Sequence, residues 1–282
     1  MTSPLKRQRS EENTPSSAST TSCYDQNNEL RGKLALITGA SGGIGAACAR
    51  ALWNQGVSLA LTYWSDGDRL SEIFKELLRM KRRDSCPGTK VTIYQANMAS
   101  EDDIKRLYAD VEDHHDRLPD ILISNAGYGK RIPNIADISL EEFDHTMSVN
   151  LRASFILCKL AIPSMTEKQW GRVIFVSSIA AHGGGINGCH YAASKAGLTG
   201  LMKNLANKHA KDGITFNDVA PAMIGDTGMI PDEKFVEGTP GDVRNIPVGR
   251  LGTPAEVANV VLMFCQTGYM TGQSVLLSGG LK

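Results

Sequence analysis

From about residue 33 onward, short apolar runs alternate with longer stretches whose apolar positions recur at helical spacing. The first run, Leu34-Ala35-Leu36-Ile37, ends at a glycine-rich turn and is followed by a helical pattern from Ile44 through Leu52. Val57 to Thr62 predicts a second strand. Leu70, Ile73, Phe74, Leu77 and Leu78 form a helical stripe after it. The basic end of that helix, Lys81-Arg82-Arg83, suits the negative end of a helix dipole. Further strands are predicted at Val91–Tyr94, Ile121–Ile123, Val173–Val176, Ile214–Phe216 and Ser274–Leu277. Strands alternating with helices predict an α/β fold with a doubly wound parallel sheet, in one domain spanning residues 31–282. Between Pro221 and about Pro247 the pattern dissolves into Gly, Pro and charged residues, and a mobile segment is expected there.

Residues 1–30 differ from the rest. They are rich in Ser and Thr and nearly free of large apolar side chains, so they cannot bury enough surface to offset ordering entropy, and a disordered tail is expected. Lys6-Arg7-Gln8-Arg9 invites a targeting reading. Glu11, Glu12 and the absence of an amphipathic apolar face argue against a mitochondrial presequence, and the lack of an apolar centre argues against a secretory signal. A cytoplasmic protein is expected, with a mitochondrial one second.

Thirty basic and thirty acidic residues cancel, which gives no support for a nucleic acid or an anionic membrane as partner. No apolar stretch reaches the ~18 residues that suggest a membrane span. Six scattered cysteines without a C-x-x-C pair argue against a disulfide framework or a zinc site, and no metal is expected.

The chemistry concentrates in three places. Tyr191 and Lys195 stand one helical turn apart in His190-Tyr191-Ala192-Ala193-Ser194-Lys195, on one helix face. An ammonium so close is expected to pull the phenol down from about 10 towards working pH, as proton exchange with a ketone or alcohol requires. Ser178 lies thirteen positions upstream. Near the start, Thr38-Gly39-Ala40-Ser41-Gly42-Gly43-Ile44-Gly45 joins a strand to a helix. Gly39, Gly43 and Gly45 allow a tight turn and close backbone approach to a pyrophosphate at the helix N-terminus, with Ser41 and Ile44 beside it.

Taken together, these residues resemble the short-chain dehydrogenase/reductase family, and among its members the 3-oxoacyl-acyl-carrier-protein reductases and their fungal relatives. The resemblance also rests on Asn125-Ala126-Gly127, Ser148-Val149-Asn150-Leu151, Val176-Ser177-Ser178, Val219-Ala220-Pro221 and Gly249-Arg250-Leu251-Gly252-Thr253-Pro254, all in the family's order. It implies a Rossmann domain, a nicotinamide dinucleotide and hydride transfer between an alcohol and a carbonyl. Tyr191 would then protonate the substrate oxygen, and Ser178, selected over Ser177 by its spacing, would orient it. Lys195 would bond the nicotinamide ribose as well as tune Tyr191. Asn150 would hold a water linking Lys195 to solvent.

The resemblance also implies the cofactor's contacts. Tyr63 takes the place at the end of the second strand where an acidic residue would bond the ribose hydroxyls and repel a 2′-phosphate. Together with a donor hydroxyl on Ser65, that favours NADP(H), although Gly42 replaces the basic residue many NADP users carry in the turn, and Asp66 and Asp68 lie nearby. Asn97 and Met98 would meet adenine, the Asn oxygen accepting a hydrogen bond. Asn125, Ala126 and Gly127 would pass beside the ribose, and Pro221 and Ile224 would reach the carboxamide. Ser124, Ala222, Asp226 ahead of Thr227, and Ser278 depart from the family's usual pattern.

His190 and His182 are expected to line the pocket, and His114-His115 to face solvent. The expected activity is NADPH-dependent reduction of a ketone to a secondary alcohol, on a small-molecule substrate such as a 3-oxoacyl thioester or polyketide-type ketone, free or carrier-bound. The alternatives are an NAD-dependent alcohol dehydrogenase and a cofactor-binding regulator without activity. A homo-oligomer, most simply a tetramer, is expected. One interface would use Val257, Val260, Val261, Met263 and Phe264 with the strand Val275 to Leu277, and the other Met147, Leu151, Phe155 and Ile156 with Lys159 at the rim.

Overall fold

A computed structural model of the chain describes residues 28–80 and 88–281. Seven strands form one parallel sheet: β1 (Leu34–Ile37), β2 (Ser58–Tyr63), β3 (Val91–Gln95), β4 (Ile121–Ser124), β5 (Gly171–Val176), β6 (Ile214–Pro221) and β7 (Ser274–Leu277). Their spatial order is β3-β2-β1-β4-β5-β6-β7. The order reverses between β1 and β4, and the crevice at such a switch point is where doubly wound sheets bind ligands.

Both faces of the sheet are covered, which is why the strands read as continuous apolar runs. On one face, α1 (Gly43–Asn54), α2 (Gly67–Arg79) and α8 (Pro254–Gln266) bury Leu52, Leu77, Val257 and Phe264 against Ala35, Ile37 and Leu61. On the other, α3 (Glu101–His115), α5 (Ala153–Glu167) and α7 (Cys189–His209) bury Ile104, Leu157, Met165 and Met202 against Leu34, Leu36 and Phe216. Full burial of each such side chain contributes about 1.5–3 kcal/mol. The short helices α4 (Leu140–Met147) and α6 (Ala180–Gly183) follow β4 and β5. They flank the carboxyl edge of the sheet.

The structure departs from the sequence expectation in several places. Strand β6 runs to Pro221 rather than ending at Phe216, because Asn217 and Asp218, polar but wholly buried, stay in the ladder beside β5 and β7. The folded domain begins upstream of residue 31. Leu30 is buried in the core, and Asn28 Oδ1 accepts hydrogen bonds from Arg172 and from the Gly268 amide. The segment expected to be mobile has its own small core, in which Ala222, Met223, Val236 and Ile246 close on Ile179 and Leu251. The predicted tail up to residue 27 and the basic run Lys81-Arg82-Arg83 lie outside the described residues. Among the described residues, no helix is long and apolar enough to cross a membrane.

Candidate active site

A cavity of about 590 Å³ opens at the carboxyl ends of the central strands. Its floor at one end is the turn between β1 and α1. Gly39 takes φ +64°, and a Cβ there would stand 3.0 Å from the Ala126 Cα. Asn125 ties the turn down: its Nδ2 donates to the carbonyls of Thr38 and Gly39, while Thr38 Oγ1 accepts from the amides of Asn125 and Ala126. Gly45 does not line the cavity. It lets α1 approach the turn, since a Cβ there would lie 2.5 Å from the Gly39 carbonyl oxygen.

Helix α1 has Gly42 as its N-cap, with no side-chain cap and no acidic residue in its first turn. By contrast α2, α3, α4 and α8 are capped by Asp66, Ser100, Ser139 and Thr253. The amides and dipole of α1 are thus left to face the cavity, an arrangement suited to an anion.

At the end of β2 the structure corrects the sequence reading. The strand extends one residue further than predicted, pairing Tyr63 with Gln95, and the Tyr63 ring packs over Gly67. Tyr63 is therefore not a lining residue. Trp64 and Ser65 line this end instead. Asn97 and Met98 do line it, but the Asn97 Oδ1 already accepts the Ala99 amide at 2.9 Å, an Asx turn that leaves it one lone pair.

At the other end, Ser178, Tyr191 and Lys195 converge on the same cavity from the end of β5 and from α7. Tyr191 is deeply buried. Burial pushes its phenol up to about 12, and a hydrogen bond with Ser178 opposes the rise. Burial pushes the Lys195 ammonium down to about 8, opposed by the charge of Asp218. Lys195 Nζ donates to the Val176 carbonyl at 2.9 Å and lies 5.7 Å from the Tyr191 ring centroid. In the protein alone, burial therefore outweighs the lowering expected from the lysine neighbour. Desolvation dominates both groups. Gly127 permits this placement of the lysine, since a Cβ there would come within 3.2 Å of Nζ.

Asn150 sits in a π-helical turn, Ser148–Arg152, and is 1% exposed. Its Oδ1 accepts the Tyr128 amide at 2.7 Å, while its Nδ2 donates to the Tyr128 carbonyl and to Ser194 Oγ, each at 2.9 Å. The side chain clamps the loop after β4 to α7. It does not line the cavity, and its bonds to backbone are compatible with the water-holding role implied for Asn150.

Two histidine expectations also fail. His190 is wholly buried beside the cavity rather than lining it, with neither ring nitrogen hydrogen-bonded. His115 is buried too, held by Thr92 at 2.7 Å and pushed down to about 4 by desolvation. His182 is exposed and does not line the cavity.

Pro221 and Ile224 reach the cavity as expected. The substrate end also holds residues that periodicity did not indicate. Tyr128 and His145 meet edge to face at 4.7 Å, and Ile186, Met229, Ile230 and Phe235 form an apolar wall. The signal for Tyr128 and Ile186 was their place in glycine-rich segments between predicted elements, whereas His145 lies on α4 away from any glycine.

Comparison with known proteins agrees with this geometry. The family model described as short chain dehydrogenase matches residues 33–234. The chain is 37% identical over 257 residues to the 3-oxoacyl-[acyl-carrier-protein] reductase FabG of Rickettsia bellii, covering 90% of this chain and 98% of that one. It is 32% identical over 260 residues to the enzyme of the same name from Aquifex aeolicus, with the same coverage. Among solved structures, a short-chain dehydrogenase/reductase from Serratia marcescens superposes with a TM-score of 0.79 at 30% identity, over 90% of this chain and 99% of that one. With its seven-stranded parallel sheet, glycine turn and convergent Ser178, Tyr191 and Lys195, the chain belongs to the short-chain dehydrogenase/reductase family, oxidoreductases acting between C=O and CH–OH.

Proposed function

We propose that the protein uses NADPH to reduce a ketone to a secondary alcohol, the substrate being a 3-oxoacyl thioester or a polyketide-type ketone, free or held on a carrier. The observation that carries this reading is the convergence of Ser178, Tyr191 and Lys195 on one cavity, where burial pushes the Tyr191 phenol up to about 12. A group protonated at neutral pH donates a proton, whereas alcohol oxidation calls for the phenolate. This favours ketone reduction over the alternative of an alcohol dehydrogenase.

The residues fit a dinucleotide. The uncapped N-terminus of α1 and the glycines at 39, 42 and 43 offer bare backbone to a pyrophosphate. Among the described lining residues there is no Asp or Glu, and Lys195 brings the one amino group, which suits an anionic ligand. Ser65 and Trp64 at the adenosine end, with no carboxylate among the lining residues, support NADP(H) over NAD(H). Bound there, the cofactor supplies a hydride.

The chain's own residues supply position and charge. Ser178 donates a hydrogen bond to the substrate oxygen, and Tyr191 passes its proton to that atom. The nearby Lys195 ammonium lowers the cost of leaving negative charge on Tyr191. The wall of Ile186, Met229, Ile230 and Phe235 removes an acyl or polyketide chain from water.

NADPH oxidation followed against a panel of 3-oxoacyl thioesters and other ketones tests the reading. Turnover of at least one thioester is expected. Tight NADPH binding with no turnover of any ketone would favour the inactive regulator instead.

A further inference from the structure

Asp218 is a buried acid that the mechanism above does not use. It lies within β6, wholly buried, one residue before Val219, the register partner of Val176 on β5. The Val176 carbonyl is the group to which Lys195 Nζ donates. Asp218 is thus one register position from the strand partner of the residue whose carbonyl holds Lys195 Nζ.

The carboxylate is held in place from two elements. Ser274 of β7 donates to Oδ2 at 2.8 Å, and Thr199 of α7, four residues after Lys195, reaches the same oxygen at 3.4 Å. Oδ1 is buried and has no hydrogen-bond partner. A wholly buried carboxylate oxygen without a hydrogen bond is costly unless an opposite charge is near. On α7, that charge is Lys195, one turn before Thr199.

We propose that Asp218 is a positioning residue of the reductase site, a fixed counter-charge that keeps the buried Lys195 an ammonium. Its catalytic consequence rests on the reductase reading; its electrostatics does not. The other groups around Lys195 fit this division. Tyr191 precedes it by one turn on α7, the loop after β4 brings the neutral Gly127, and the end of β5 brings the Val176 carbonyl. Around Asp218, β7 brings the neutral Ser274, and beyond it α6 brings the exposed His182, whose Nε2 lies 3.4 Å from Ser274 Oγ. Among the described residues, Asp218 is the acid whose charge raises the proton affinity of Lys195.

The test is the titration of the Lys195 ε-amino group in the full chain. It is followed by NMR of carbon-13-labelled lysine, with the resonance assigned by Lys195→Met. Asp218→Asn keeps the shape and an acceptor for Ser274 but removes the charge, and is expected to lower the titration midpoint of Lys195 by about one pH unit. Ser274→Ala retains the carboxylate and is expected to leave the midpoint within a few tenths of a unit of wild type. In parallel, the alkaline limb of kcat/KM for ketone reduction should move down with the midpoint in Asp218→Asn alone.

An unchanged Lys195 midpoint in folded Asp218→Asn overturns the proposal. Should that variant not fold, Asp218→Ser is read in the same way. A shifted lysine in a chain that turns over no ketone keeps the counter-charge and rejects the reductase reading.

Discussion

Gly43, at the start of α1, lies directly against the carbonyl of Asp226 in the segment that covers the cavity. A Cβ at residue 43 would stand 2.3 Å from that oxygen and 3.2 Å from Pro254 Cγ. The glycine turn and the covering loop therefore clasp each other at a point where only glycine fits. The loop arrives under strain, with Met223 at φ +51° and Asp226 at φ +54°, both left-handed and neither glycine.

Gly43→Ala should force the clasp open. Overpacking of this kind costs about 1–3 kcal/mol, so NADPH affinity should fall by roughly 5- to 100-fold. Gly42→Ala serves as the comparison, because its nearest obstacle is the Gly39 carbonyl at 3.3 Å. Fluorescence titration with NADPH reads both. Equal losses in the two variants would reject the clasp.

Tyr191→Phe removes the proposed proton donor while keeping the ring that fills the buried site. Turnover should fall by at least ~10²-fold, the scale of lost general acid catalysis, with NADPH affinity unchanged. Steady-state kinetics beside a binding titration decides this, and near-normal turnover would remove Tyr191 from the mechanism.

The two shifted groups fix the sign of the pH dependence. Lys195, lowered to about 8, is charged below that value and neutral above it. Tyr191, raised to about 12, stays protonated throughout the working range. Ketone reduction needs both protons, so kcat/KM should hold on the alkaline side of neutrality and fall tenfold per unit above about pH 8. A rate that rises through pH 8 would mean that the phenolate, not the phenol, is the active form.

Cofactor preference should respond at Ser65 and not at Tyr63. Ser65→Asp places a carboxylate on the cavity wall, where it would bond ribose hydroxyls and repel a 2′-phosphate. The ratio of kcat/KM for NADPH over NADH should drop by at least ~10-fold. Tyr63→Asp should leave the ratio unchanged and lower Tm, since the ring packs on Gly67. A ratio that moves with Tyr63 would restore the original reading of that strand end.

A homotetramer remains the expected assembly, now with a narrower set of contacts. Val257, Val261 and Phe264 are spent on the internal core, whereas Met263, Leu276 and, on α5, Phe155 are exposed at 36%, 45% and 53%. Burying such residues across two-fold axes is a common solution for closed assemblies. Sedimentation should show a tetramer, and Phe155→Asp should dissociate one interface. A single species near 30.4 kDa would rule the assembly out.

The sequence by itself determined the sheet, the glycine turn and the pairing of Tyr191 with Lys195. Each of those is written locally. Strands buried on both faces read as apolar runs, a strand–turn–helix junction is marked by its glycines, and a Tyr and Lys four apart share a helix face by geometry alone. Only the tertiary structure decided what the local pattern could not carry. One extra ladder pair at the end of β2 moved Tyr63 out of the cavity and set Trp64 beside the expected Ser65. Burial by distant elements, rather than the neighbour one turn away, sets the acidity of Tyr191 and Lys195. Asn150 proved to be a clamp because its partners, Tyr128 and Ser194, lie 22 and 44 residues away. Desolvation and hydrogen bonding depend on what surrounds a side chain in three dimensions, and its surroundings come mostly from residues far off in the chain.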